Sequence, residues 1–183
     1  MKKVLTLLAL FILGFSSLTD LRAAPPQTCD QILTAAKARA LAEHKAIFLH
    51  FGASWCGWCG KLEAFLDRPD VKPVFEKYFV PTAMVVQEED EKEKLNTPGA
   101  VELLRKLGGE DQGIPFFAFL DSHAAAIVNC RPNGTGLSIG YPAEPAEVEW
   151  FLEMVRKAAP QISTQELALL GSGLRITLKP AKP

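Results

Sequence analysis

The hydrophobic positions of the chain change period several times, and each change marks an element. From Thr28 to His44 the chain is rich in alanine, with Ile32, Ala36 and Ala40 spaced along one helical side. Thr28 and Gln31 stand three apart at its start, as a capping box requires. Ile47 to Phe51 is a continuous apolar run ended by Gly52, Ala53 and Ser54, the pattern of a strand buried on both faces. A helix is expected from about Cys56 to Leu66. Pro69 breaks it, and Val71, Val74, Phe75 and Tyr78 resume helical spacing to about Phe79. Val80 to Val86 reads as a strand, and the charged run Gln87 to Lys94 after it as a solvated loop with no function assigned.

Thr97 as N-cap, Pro98 at the first helical position and the stripe Ala100, Leu103, Leu104 and Leu107 predict a further helix closed by Gly108 and Gly109. The run Phe116 to Leu120 follows Gly113-Ile114-Pro115 as a buried strand. Asp121-Ser122-His123 turns the chain, and Ala124 to Cys130 can pair back antiparallel. The Gly-rich loop Asn133 to Gly140 lacks Gly-Lys-Ser/Thr and does not open directly onto a helix, which argues against a phosphate cradle. A last helix begins near Glu144-Pro145 with Val148, Phe151, Leu152 and Val155 on one side. Beyond Pro160 periodicity fades, apart from a Leu174 to Leu178 run that could add an edge strand, so 161–183 reads as a tail. Helices alternating with strands and a closing hairpin imply an α/β fold: a three-layer α/β/α sandwich on a mixed sheet of about four strands.

The N-terminal stretch stands outside that fold. Lys2 and Lys3, an apolar run from Val4 to about Leu18 and a polar segment ending in Ala23 and Ala24 have the layout of a secretory signal peptide. About fifteen apolar residues fall short of the roughly 20 that span a bilayer. The expected organisation is a signal peptide 1–23, a domain 24–160 and the tail, in a periplasmic or secreted protein. Removing 1–23 takes Lys2, Lys3, Arg22 and Asp20 from 20 basic and 21 acidic side chains, leaving 17 and 20, a mildly acidic balance that points to no nucleic acid.

Export changes how the four cysteines are read, because disulfides persist outside the cytoplasm. Cys56 and Cys59 stand where a buried strand hands over to a helix, and residues three apart share one helical face, so their sulfurs can close a short ring. A helix N-terminus offers unpaired N–H groups and the positive end of the helix dipole, both favouring a thiolate, so Cys56 is expected to be the more acidic thiol. A static structural disulfide at this spacing would close a tiny loop and restrict the unfolded chain little. Cys29, Cys130, His50 and His123 form no second close pair suited to zinc, and Gly60 stands where haem attachment needs a histidine. No metal and no cofactor is expected. Cys29 and Cys130 can join each other, form a second redox pair or stay unpaired, and spacing does not choose among these.

With Trp55-Cys56-Gly57-Trp58-Cys59 after a buried strand, Ile114-Pro115 before a later strand and a terminal helix after Gly140, the stretch from Ile47 to Ala159 resembles the thioredoxin superfamily, in particular its exported thioredoxin-like branch. The resemblance implies a thiol-disulfide oxidoreductase with Cys56 as nucleophile and Cys59 as resolving thiol. It also implies a cis Pro115 close to them, and Trp55, Gly57, Trp58 and Ile114 at the substrate site, where the backbone of Ile114 would pair with a substrate strand. Implied partners are protein thiols and disulfides and a redox protein that supplies or accepts electrons.

Two departures qualify this. His50 stands six before Cys56, where thioredoxins carry a buried acid. It is read either as a proton-accepting base or as a core histidine, and it supplies no fixed negative charge. Trp58 precedes Cys59, where strongly oxidising relatives carry histidine, which favours reduction or isomerisation over strong oxidation. The competing reading is a binding module whose Cys56–Cys59 disulfide stays oxidised.

Overall fold

A computed structural model describes residues 26–178, so the expected signal peptide 1–23 lies outside the described residues. The first helix, α1 (Cys29–Glu43), is closed at its start by the capping box: the Gln31 amide donates to Thr28 Oγ1 and the Thr28 amide to Gln31 Oε1. It leads into β1 (Ala46–Gly52), whose five middle residues are all buried. Then come α2 (Gly57–Leu66), α3 (Lys72–Tyr78) and β2 (Phe79–Val85).

A 3-10 turn over Asp90–Leu95 occupies the charged run, and α4 (Ala100–Lys106) follows. Here the chain departs from the expected cap. Gly99, at φ 85°, takes the N-cap position, and Thr97 turns inward, its Oγ1 accepting from the Val85 amide at the end of β2. A local capping signal was overridden by an orphaned strand-end donor. The remaining elements are β3 (Phe116–Leu120), β4 (Ala126–Asn129), α5 (Pro145–Ala158) and α6 (Thr164–Leu178).

The four strands form one sheet in the order β2-β1-β3-β4, with β1 parallel to β2 and antiparallel to β3, and β3 antiparallel to β4. β1 is thus flanked on both sides, as the run Ile47 to Phe51 implied. Because side chains alternate across a strand, Phe48 and His50 share one face of the sheet and Ile47, Leu49 and Phe51 the other. On the first face phenylalanines interlock: Phe48 and Phe79 lie 5.0 and 4.7 Å from Phe119, and Phe151 of α5 lies 5.8 Å from Phe117. Edge-on and tilted ring packing of this kind adds to the burial of large apolar surface. α1 covers β1 and β2 from the other face, and the Cys29 amide donates to Pro98 O just before α4.

Over residues 164–178 the structure corrects the reading of a tail with an edge strand. Residues 164–178 form a helix that packs on α2 and α5, burying Leu167, Leu170 and Leu174. Ser163 and Glu166 cap it reciprocally, and the Glu166 carboxylate also takes hydrogen bonds from Lys77 and Tyr78, which tie it to α3. The hydrogen bond from Lys77, followed by those from Ser163 and Tyr78, pushes Glu166 down to about 2. Gly171 and Gly173 disguise the element, since glycine is a poor helix former. Their role is close approach: a Cβ on Gly173 would lie 2.6 Å from Val71 Cγ2 and 3.1 Å from Phe65 Cε2.

Candidate active site

The site sits at the C-terminal end of β1, where the strand turns into α2. Cys56 is the N-cap of α2 with extended backbone, and the Cys59 amide donates to its Sγ at 3.1 Å. A sulfur therefore occupies the place that a Ser or Asp oxygen usually fills, among the unpaired N–H groups of the first turn. Cys56 and Cys59 are joined in a disulfide, with Cα atoms 5.2 Å apart. Cys59 is pressed against the end of β1, where a Cβ on Gly52 would stand 3.2 Å from both its Cβ and its Sγ. The glycine is what lets helix and strand close on each other here. Cys56 is the more open of the two, 8% exposed against 3% for Cys59.

The Ile114–Pro115 bond is cis, and the Ile114 carbonyl oxygen lies 3.5 Å from Cys56 Sγ. In the disulfide the sulfur carries no proton, so this is a contact; a Cys56 thiol could donate across it. Trp55 and Trp58 flank the disulfide, 60% and 53% exposed. The Trp55 indole N–H donates to Gln87 O, and Trp58 stacks on Tyr141 at 6.0 Å between ring centres. Tyr141 in turn donates to Leu174 O, and Lys61 of α2 to Thr177 O, so α6 backs the cysteine-bearing helix. Gly57 opens α2 on the exposed side, with nothing near the place of a Cβ.

His50, two residues before the end of β1, is buried and stacked on Phe48, and burial pushes it down to about 4, so the ring is neutral at neutral pH. It opens onto a cavity of about 430 Å³ that Cys56 also lines. Structure thus brings Cys56, Cys59, His50, Trp55, Gly57, Trp58, Ile114 and Pro115 to one end of the sheet.

Cys29 and Cys130 lie elsewhere, both buried and unbonded to each other. Cys29 packs against Gly99 at the start of α1. Cys130, at the end of β4, accepts from the Phe117 amide and shares a hydrogen bond with Ser138 Oγ. Burial pushes its thiol up to about 11. Among the described residues no three His, Cys, Asp or Glu side chains gather so as to hold a metal ion.

One residue of the site escaped the sequence reading. Glu88, inside the run taken for a solvated loop, is 4% exposed and lines the same cavity. Its Oε1 accepts from the Ser54 amide at 2.5 Å and its Oε2 from Ser54 Oγ at 3.1 Å, two residues before Cys56. The available signal was weak: of six acids between Glu88 and Glu102, nothing local sets this one apart.

A disulfide set into a helix start beside a cis-proline loop, on a mixed four-stranded sheet, defines a thioredoxin-type redox site. A thioredoxin-like family model matches residues 28–122, more than half of the chain, and the chain belongs to that family. No curated protein matches it significantly. Similar solved structures include a disulphide isomerase from Xylella fastidiosa Temecula1, 20% identical over 79% of this chain and 88% of that one, with a TM-score of 0.47. The oxidised C-terminal domain of Neisseria meningitidis DsbD is 25% identical over 70% and 98%, TM-score 0.45. A thioredoxin from Thermus thermophilus is 22% identical over 69% and 83%, TM-score 0.45.

Proposed function

We propose that the protein is an exported thiol-disulfide oxidoreductase that reduces or isomerises protein disulfides. The observation that carries this reading is the position of the Cys56 sulfur: N-cap of α2, the more open of the pair, and 3.5 Å from the Ile114 carbonyl between two exposed tryptophans. The Cys56 thiolate attacks one sulfur of a substrate disulfide, forming a mixed disulfide and releasing a substrate thiolate. Cys59 then attacks Cys56 Sγ, closing the disulfide and freeing the second substrate thiol, so two electrons pass from the dithiol to the substrate. A dithiol redox partner restores the pair.

His50 is the base in this scheme: its imidazole is neutral, the state that can accept the Cys59 proton, and it lines the cavity onto which Cys56 opens. Ile114 and Pro115 present main chain to the substrate backbone, and Trp55, Gly57 and Trp58 contact its side chains. Export rests on the signal-peptide layout of 1–23, which leaves the thioredoxin-like unit from residue 24.

The test is dithiol-dependent reduction of a disulfide-linked protein by the parent, Cys56→Ser and Cys59→Ser. Both variants are expected to fall to the background rate, with Cys59→Ser accumulating the mixed disulfide. Parent-level rates in both variants, or a Cys56–Cys59 couple that resists physiological reductants, would replace this reading with that of a binding module.

A further inference from the structure

Thioredoxin-type sites with an acid behind the cysteines have a fixed negative charge built into β1. This chain has His50 there, neutral at neutral pH. A buried carboxylate nevertheless reaches the same cavity from another element, the strap that follows β2. Glu88 is held in place by its own neighbours: its amide donates to Asn96 Oδ1 and its carbonyl accepts from Asn96 Nδ2, both at 2.9 Å. From there its two oxygens take the Ser54 amide and hydroxyl, while the preceding carbonyl, Gln87 O, takes the Trp55 indole N–H. The strap therefore grips consecutive residues of the loop that delivers Cys56. Hydroxyl and amide both donate, which leaves the carboxylate as acceptor on each oxygen.

We propose that Glu88 is the fixed negative charge of the redox site: a positioning residue that clamps the loop into Cys56 and, by opposing the Cys56 thiolate, holds the pair on the reducing side. This rests on the oxidoreductase reading and deepens it, since it sets the direction of electron flow. A buried like charge near a thiol disfavours the thiolate. The disulfide carries no charge to be opposed, so the oxidised form gains relative to the dithiol and the pair becomes a better donor.

Other charges face the same space, but each is weaker in effect. Lys92 Nζ reaches Ser54 Oγ at 2.9 Å from the solvent side, and Glu63 of α2 lines the cavity from an exposed position. Water screens both more than it screens Glu88. His50, from β1, adds no charge above its depressed range.

The test uses the full reduced chain and reads the acidity of Cys56 by ultraviolet thiolate absorbance, and the dithiol-disulfide equilibrium against glutathione. Burial raises the Cys29 and Cys130 thiols above the ordinary cysteine value, so the first thiolate to appear belongs to the Cys56–Cys59 pair. Glu88→Gln keeps shape and hydrogen-bonding reach and removes the charge. It is expected to make Cys56 more acidic by about one pH unit and to shift the glutathione equilibrium about tenfold towards the dithiol.

Glu88→Asp, which keeps the charge, stays near the parent. Lys92→Met, an exposed change, moves Cys56 the other way by a smaller step and carries the test even if Glu88→Gln does not fold. Unchanged Cys56 acidity in Glu88→Gln or Lys92→Met, or an equal shift in Glu88→Asp, overturns the proposal. These are equilibrium properties of the protein's own thiols, so they fail separately from turnover, which the Cys56→Ser comparison reads.

Discussion

The chain sets its cysteines in two opposite surroundings, and the contrast shows how little the residue type decides. Cys56 meets the amides of a helix start, a backbone carbonyl and an open cavity, with a partner sulfur one turn on. Cys130 is enclosed between β4 and the loop after it and held by the Phe117 amide and Ser138, with a thiol that burial pushes up to about 11. Cys29 is likewise buried and raised, first by burial and then by Asp30 and Glu102. The first surroundings favour a thiolate; the second make cysteine a small apolar filler.

The widest gap between the two is in activity. Cys56→Ser is expected to bring disulfide reduction to background, whereas Cys130→Ala keeps the parent rate per folded molecule. A loss in Cys130→Ala without a loss of fold would show that the buried thiols join the chemistry. Reactivity should divide the same way: at neutral pH only about 10⁻⁴ of Cys130 is thiolate, given a pKa of about 11. Iodoacetamide should therefore label Cys56 in the reduced protein and reach Cys29 and Cys130 only after unfolding, which peptide mass mapping can follow.

His50 sharpens the comparison from the side of stability. Burial holds it down to about 4, so between that value and the ~6.5 of an unfolded histidine the unfolded chain binds a proton that the folded chain does not. Unfolding then takes up protons, and stability falls as pH drops through this window, by roughly 3 kcal/mol at its lower end. Above the window the effect is absent. Denaturant melts at neutral pH and near pH 4 should show the fall in the parent and lose most of it in His50→Leu. A smaller effect is expected behind the site: Gly173→Ala pushes α6 from Val71 and Phe65 and should cost about 1–3 kcal/mol by overpacking, read as a lower denaturation midpoint.

Legibility in the sequence followed the range of the interactions. The β1 run, the capping box of α1, the break at Pro69 and the Cys56–Cys59 spacing are written in neighbouring residues, and each was readable. α6 was not, because Gly171 and Gly173 lower helix propensity locally and are there for contacts with Leu152, Val71 and Phe65, all distant in sequence. Ser163 and Glu166, three apart, are the local mark of its start. Thr97 moved from the expected cap because the end of β2 needed an acceptor.

What the sequence alone determined is the order of elements from α1 to α5 and the place of the redox pair, since period, caps and a three-residue spacing act within a turn or two of chain. Tertiary structure decided which thiols stay apart, that a carboxylate from the strap after β2 holds the loop before Cys56, and that the last helix backs α2. Those outcomes depend on burial and on hydrogen bonds between segments brought together only by folding, and burial is what separates Glu88 from the charged residues beside it.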